Sequence, residues 1–186
     1  MEAKDNRYLK EKDKDGNTAL HIAAKSDNLG IFDMLLKNCP DQVDDRNNKQ
    51  RTPLHIAAQH DKLEIAKKLI KSNASVRIRD KNEFSPLLAT VRYDSLNVFE
   101  LLLEKTRDYH CVEYRDICEN IFEEVETDNR DNPPLTLLQI ATKYNSCKVA
   151  AKLISIGASV YALDRDGHNL VYLAAANGSA RVLKVS

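Results

Sequence analysis

No apolar run in this chain approaches the roughly 20 residues that a bilayer-spanning helix needs, so no segment is predicted to insert directly into a membrane. The four cysteines, Cys39, Cys111, Cys118 and Cys147, form neither a C-x-x-C pair nor a zinc-ligand spacing with histidine. That pattern excludes a disulfide scaffold and predicts a reduced protein, cytoplasmic or on the cytoplasmic side of a membrane protein. The charged stretch Met1 to Lys14 has no apolar core and is no signal peptide. Charge of one sign is missing too: 28 Lys and Arg balance 28 Asp and Glu. A nucleic-acid binder usually carries a basic excess, so no such partner is expected. The five glycines make no G-x-x-x-x-G-K-[ST], G-x-G-x-x-G or G-x-S-x-G, and neither enzymatic activity nor a cofactor or metal is predicted.

What the chain does have is self-similarity. Thr52-Pro53-Leu54-His55-Ile56-Ala57-Ala58 follows a near copy, Thr18-Ala19-Leu20-His21-Ile22-Ala23-Ala24, at a distance of 34. A weaker copy starts at Ser85, 33 residues on; two more start at Thr136 and Asn169, again 33 apart. A fixed period of this size is the signature of a solenoid. Pro53 fits a first helical position, where its missing N–H breaks no bond, and Thr52 before it is a capping residue. A second helix is predicted at Leu63 to Ile70, with Leu63, Ile65, Ala66, Leu69 and Ile70 inward. The matching sets are Leu29, Ile31, Phe32, Leu35 and Leu36; Leu96, Val98, Phe99, Leu102 and Leu103; and Cys147, Val149, Ala150, Leu153 and Ile154. Gly16 and Gly167 stand where a turn wants positive φ, whereas Gln50 and Glu83 at that place predict a less favourable or slightly different turn.

The T-P-L-H-x-A-A core resembles the ankyrin repeat over about residues 7–105 and 131–186. The resemblance implies an all-α solenoid of about five helix-turn-helix units with short β-hairpin fingers. The units expected are 17–50, 51–83, 84–108, 135–167 and 168–186, in a single array. It also implies a non-enzymatic role in protein–protein interaction, as an adaptor, scaffold or inhibitor. The motif histidines His21 and His55 are expected to tie helix starts to fingers rather than to catalyse or bind metal.

The step from Ser85 to Thr136 is 51, eighteen more than one period. The added segment, about 109–134, has apolar residues from Tyr114 to Val125 at helical spacing, which predicts an inserted amphipathic helix. Cys111 and Cys118 would share a face of it, as ordinary thiols or a redox pair. Leu9 to Gly16 reads as the finger of a preceding unit, and the last unit stops inside its second helix. The chain is therefore expected to be part of a longer array. An alternative parent is a transient-receptor-potential ankyrin channel, whose cytoplasmic arm would couple cytosolic signals to gating.

Candidate partner-binding residues follow the alanine pair of each first helix, on what would be a concave ridge: Lys25, Gln59, His60, Arg92, Tyr93, Lys143 and Tyr144. Arg and Tyr are enriched at interaction hot spots. The finger tips add Arg46, Lys49, Arg51, Arg77, Arg79 and Lys81, and the predicted ligand is a protein segment, extended or helical, with acidic and apolar residues.

Overall fold

The computed structural model describes residues 9, 11–108, 135–164 and 166–184. The inserted segment and Cys111 and Cys118 lie outside the described residues. Contacts divide the chain into two units, Met1–Pro86 and Leu87–Ser186. Both are helical, and among the described residues no β-strand forms.

The first unit holds α1 (Ala19–Ala23) with α2 (Leu29–Asn38), then α3 (Pro53–Gln59) with α4 (Leu63–Lys71). Each first helix packs on its own second helix, and α1 meets α3 as α2 meets α4. The second unit holds α5 (Pro86–Tyr93) with α6 (Leu96–Asp108), α7 (Leu137–Lys143) with α8 (Cys147–Ser155), and α9 (Leu170–Ala176). A short 3-10 turn, Val182–Lys184, packs on α8 and α9. Although 51 residues separate their starting motifs, α6 packs directly on α8. Asp94 Oδ1 accepts from the amides of Lys148 and Val149 at 2.8 and 3.0 Å, and Lys152 pairs with Glu100 at 2.7 Å. The insertion thus leaves these two helix pairs adjacent.

Helix ends follow one local rule. Asp61, Asp94, Asn145 and Gly178 all take positive φ, from 52° to 65°, just past a first helix. Asn73 and Gly157 do the same past α4 and α8. The amide of Ala74 then reaches Leu69 O and that of Ala158 reaches Leu153 O, at 2.9 and 3.0 Å. These 6→1 bonds satisfy carbonyls that a helix end would otherwise leave bare.

The fingers, expected as β-hairpins, are seen as tight turns. Asp13, Asn47, Asp80 and Asp164 each accept, through one side-chain oxygen, the amides two and four residues on, at 2.8–3.1 Å. Gln50 and Glu83 adopt φ of 57° and 60°, close to the 76° and 78° of Gly16 and Gly167. The middle fingers are therefore the same turn, formed at a cost of about 1 kcal/mol each for a side chain in the left-handed region.

The inward sets of α4, α6 and α8 are buried or half-buried as their spacing predicts. The α2 set is not. Phe32 and Leu35 are buried, but Leu29 and Ile31 are exposed. Spacing assigns them to the inward set, but no further helix pair among the described residues packs over the side on which Ile31 lies. Truncating Phe32 to Ala should therefore lower unfolding free energy by about 3–5 kcal/mol. Ile31→Ala should cost under about 0.5 kcal/mol. Urea denaturation of both variants measures the contrast.

Candidate functional site

The histidines come first because they decide what the motif is for. His21 Nδ1 receives the Thr18 amide at 3.3 Å and sits 2.9 Å from Thr18 Oγ1, while Nε2 lies 2.8 Å from Arg51 O. His55 repeats this with the Thr52 amide at 3.1 Å and Phe84 O at 2.9 Å. The network assigns the proton to Nε2, so one ring caps its own helix and donates to the next finger. Gln139 achieves the same with an amide: Oε1 accepts from the Thr136 amide at 2.7 Å, and Nε2 donates to Ala162 O at 3.2 Å. Burial lowers the pKa of both histidines, that of His55 to about 4, against the opposing pull of the Phe84 and Arg51 carbonyls. These rings are neutral structural ties.

In the first unit the finger side carries a groove of about 710 Å³ lined by Arg46, Gln50, Ser75, Arg77, Arg79 and Lys81, among others. Asp80 and Glu83 also line it, but each has a cationic neighbour. Asp80 is buried and takes Arg51 Nε at 3.0 Å. Burial works to raise its pKa, yet the amides of Asn82 and Phe84 and the Arg51 guanidinium outweigh it, so the carboxyl titrates below its ordinary value. Glu83 lies 3.7 Å from Arg79. Arg51, a cation counted among the finger tips from sequence, is thus used internally: it also donates to Gln59 Oε1 at 2.9 Å. Its place one residue past the turn points it back at the neighbouring finger, which spacing within one repeat does not reveal. Gln59 is likewise engaged, half-buried on α3. His60 is exposed, and its pKa is lowered by partial burial and by the charges of Lys62 and Lys25, which brings Lys25 and His60 to one basic locality.

In the second unit the ridge residues do meet. The Arg92 guanidinium lies 5.7 Å from the Tyr93 ring centre and 5.2 Å from that of Tyr144. These are cation–π distances. Tyr93 and Lys143 are exposed, and Arg92 and Tyr144 half-buried. A second polar cluster, Asp164, Asp166 and His168, has its ligand-type atoms within 4.8 Å of one another. It is a finger turn: Asp164 Oδ1 already accepts the amides of Asp166 and His168, and Asp164 Oδ2 lies 3.3 Å from His168 Nδ1. Cys39 is buried just past the end of α2, and Cys147, half-buried, is the first residue of α8. Sequence reasoning missed Asp94, whose carboxylate caps α8 from the preceding helix pair; its signal was an Asp at the turn position that Asp61 and Asn145 share.

Comparison with known families agrees with this architecture. Residues 39–113 match the family model described as ankyrin repeats (3 copies), and residues 15–48 that of a single ankyrin repeat. The two matches run together from 15 to 113, more than half of the 186 residues, and the chain belongs to the ankyrin-repeat family. No curated protein matches it. Ankyrin repeats are in general protein-interaction modules, and among the described residues no helix is long and apolar enough to cross a membrane.

The buried histidines fix the sign of a pH effect. His55 titrates near 4 in the folded chain and near 6.5 when unfolded, so the unfolded chain binds the extra proton first. Its stabilising contribution is whole above pH 6.5 and is lost as pH falls toward 4, on the order of 2 kcal/mol by pH 5. His21 shifts in the same direction. Denaturation midpoints at pH 7 and pH 5 should differ less in His55→Gln than in the wild type, since glutamine keeps both bonds. Equal slopes would show that His55 is not held neutral.

Proposed function

We propose that the chain is a non-enzymatic protein-binding module that seats an acidic, extended segment of a partner protein along the finger groove of Arg46, Arg77, Arg79 and Lys81. The observation that carries this reading is the charge of the groove. Its acidic members have cationic neighbours, Asp80 in Arg51 and Glu83 in Arg79, so an incoming carboxylate meets a positive lining. A rigid scaffold of stacked helix pairs loses little freedom on binding, which favours affinity from a modest contact area. Arg92, Tyr93, Lys143 and Tyr144 offer a second contact of the same character, an arginine between two aromatic rings. Lys25, Gln59 and His60 belong to the same class of position on α1 and α3.

On this reading residues 17–50, 51–83, 84–108, 135–167 and 168–186 are successive ankyrin units of one array, with 109–134 inserted between the third and fourth. The module works as an adaptor, scaffold or inhibitor in the cytoplasm. The other reading, an arm of a membrane channel, has no observation on the described residues in its favour.

A fluorescence-anisotropy titration with a labelled Asp- and Glu-rich peptide containing a few leucines tests the groove. The double variant Arg77→Glu, Lys81→Glu should bind at least about tenfold more weakly, equivalent to about 1.4 kcal/mol. Wild-type affinity should fall as salt rises. Undiminished binding by the double variant would remove the groove from the proposal, and the pair Arg92→Glu, Lys143→Glu would then be the next to measure.

A further inference from the structure

We propose that the partner segment lies along Arg77, Arg79 and Lys81 with acidic side chains at alternate positions, and that its middle carboxylate takes Arg79 from Glu83. This rests on the reading of the finger groove as the seat of an acidic extended segment. It makes Glu83 a residue that sets specificity there.

The spacing comes from the chain itself. Residues 77–80 lie in neither helix nor turn, and none of them takes positive φ. Along an extended run successive side chains point to opposite sides, and every second one recurs after about 6–7 Å. Asp80 marks the inward side: its carboxylate is buried on Arg51 and on the amides of Asn82 and Phe84. Arg77 and Lys81 are exposed, Arg79 is half-buried, and all three line the groove. The Lys81 amide donates to Lys49 O of the preceding finger at 3.0 Å, which fixes that end of the row. The cations therefore repeat at every second residue. An extended partner repeats its own side chains at the same interval, so acids at alternate positions meet the three cations in register. Acids at consecutive positions turn every second carboxylate away.

The two ion pairs at the groove differ in how readily they open. Arg51 meets Asp80 at 3.0 Å, with the side chains 13 and 2% exposed, and opening it would leave a buried charge uncompensated. Arg79 meets Glu83 at 3.7 Å, with the side chains 24 and 59% exposed. A long, largely solvated pair contributes little, so Glu83 gives way at small cost, yet it repels any carboxylate brought beside it. Glu83 is thus an internal competitor. The preceding finger has the same pair without the charge: Arg46 Nη1 donates to Gln50 Oε1 at 3.3 Å, again four residues on. Gln50 also holds the same backbone, φ 57° against 60°. Glu83→Gln therefore reproduces an arrangement that the chain already uses.

Fluorescence anisotropy of the full 186-residue chain with two labelled peptides of one composition tests this. One alternates its three glutamates with threonine; the other has the three glutamates in a row. The alternating peptide should bind the wild type at least about fivefold more tightly. Glu83→Gln should tighten it by a further factor of about three and the consecutive peptide by less. Glu64→Gln removes the same charge from a comparably exposed pair, Glu64 with Lys67, outside the groove, and should leave both affinities unchanged. Circular dichroism checks that both variants remain folded. Equal affinity of the wild type for the two peptides overturns the proposal and leaves the groove reading standing. So does a Glu83→Gln variant that gains nothing, or a Glu64→Gln variant that gains as much. Failure of either peptide to bind the wild type removes the groove reading and this proposal with it.

Discussion

A pair of helices of five to thirteen residues has two broad faces and too little chain to cover both. Each pair here is stable only through its neighbour, and the motif position in the first helix is where that dependence becomes chemical. His21 and His55 must accept from their own helix start and donate to the adjoining finger at once, which a neutral imidazole can do and an imidazolium cannot. Burial holds the rings neutral. Gln139 shows that the requirement is for an acceptor and a donor at fixed separation, and not for a ring. Where Leu88 or Tyr172 stands instead, the tie is absent or replaced, and the helix start relies on other groups, such as Asn169 Oδ1 on the Tyr172 amide.

That use of the interior decides what remains for function. Alanines and leucines go to packing, the motif residues to capping, and Asp13, Asn47, Asp80 and Asp164 to closing the turns. Cations at the finger tips and the residues just past the first helices are left facing solvent. In the first unit the Arg51–Asp80 pair takes one charge of each sign out of that surface. The exposed remainder at the groove keeps Arg46, Arg77 and Lys81. In the second unit the two tyrosines shape the surroundings of Arg92 by their rings.

Much of this was legible in the sequence because the rules are local. Thr18, Thr52 and Thr136 announce helix starts, and spacing alone places Ile65, Val98 and Val149 inward. What was not legible depends on the neighbour. Ile31 has the same spacing as Ile65 and the opposite exposure, because periodicity defines a face and says nothing of what lies against it. Arg51 reads as a finger cation until Asp80, 29 residues away, is placed beside it. The arginine between tyrosines was half legible: both ridge pairs were identified, but not that Arg92 reaches across to Tyr144. The hairpin expectation came from family resemblance; each turn is closed by a side-chain oxygen together with a backbone bond, as from the Asp13 amide to Asn17 O, and no strand forms among the described residues.

Asp94 shows how a local cost and a neighbour contact are combined. At φ 56° it occupies a region that glycine would enter without strain, and Gly178 does occupy it at the corresponding turn. Asp and Asn tolerate this conformation better than most residues, and Asp94 also accepts the first amides of α8. A glycine there would relieve backbone strain but leave those two amides to water or unpaired, at about 1 kcal/mol or more for a lost cap. The carboxylate also meets the positive end of the α8 dipole. Together with Lys152–Glu100 it fixes α8 against the pair before it, across a chain separation of more than fifty residues. The interface is therefore specified by contacts that do not depend on the length of chain joining the two pairs. This explains how the second unit accommodates the insertion while retaining the packing of α6 on α8.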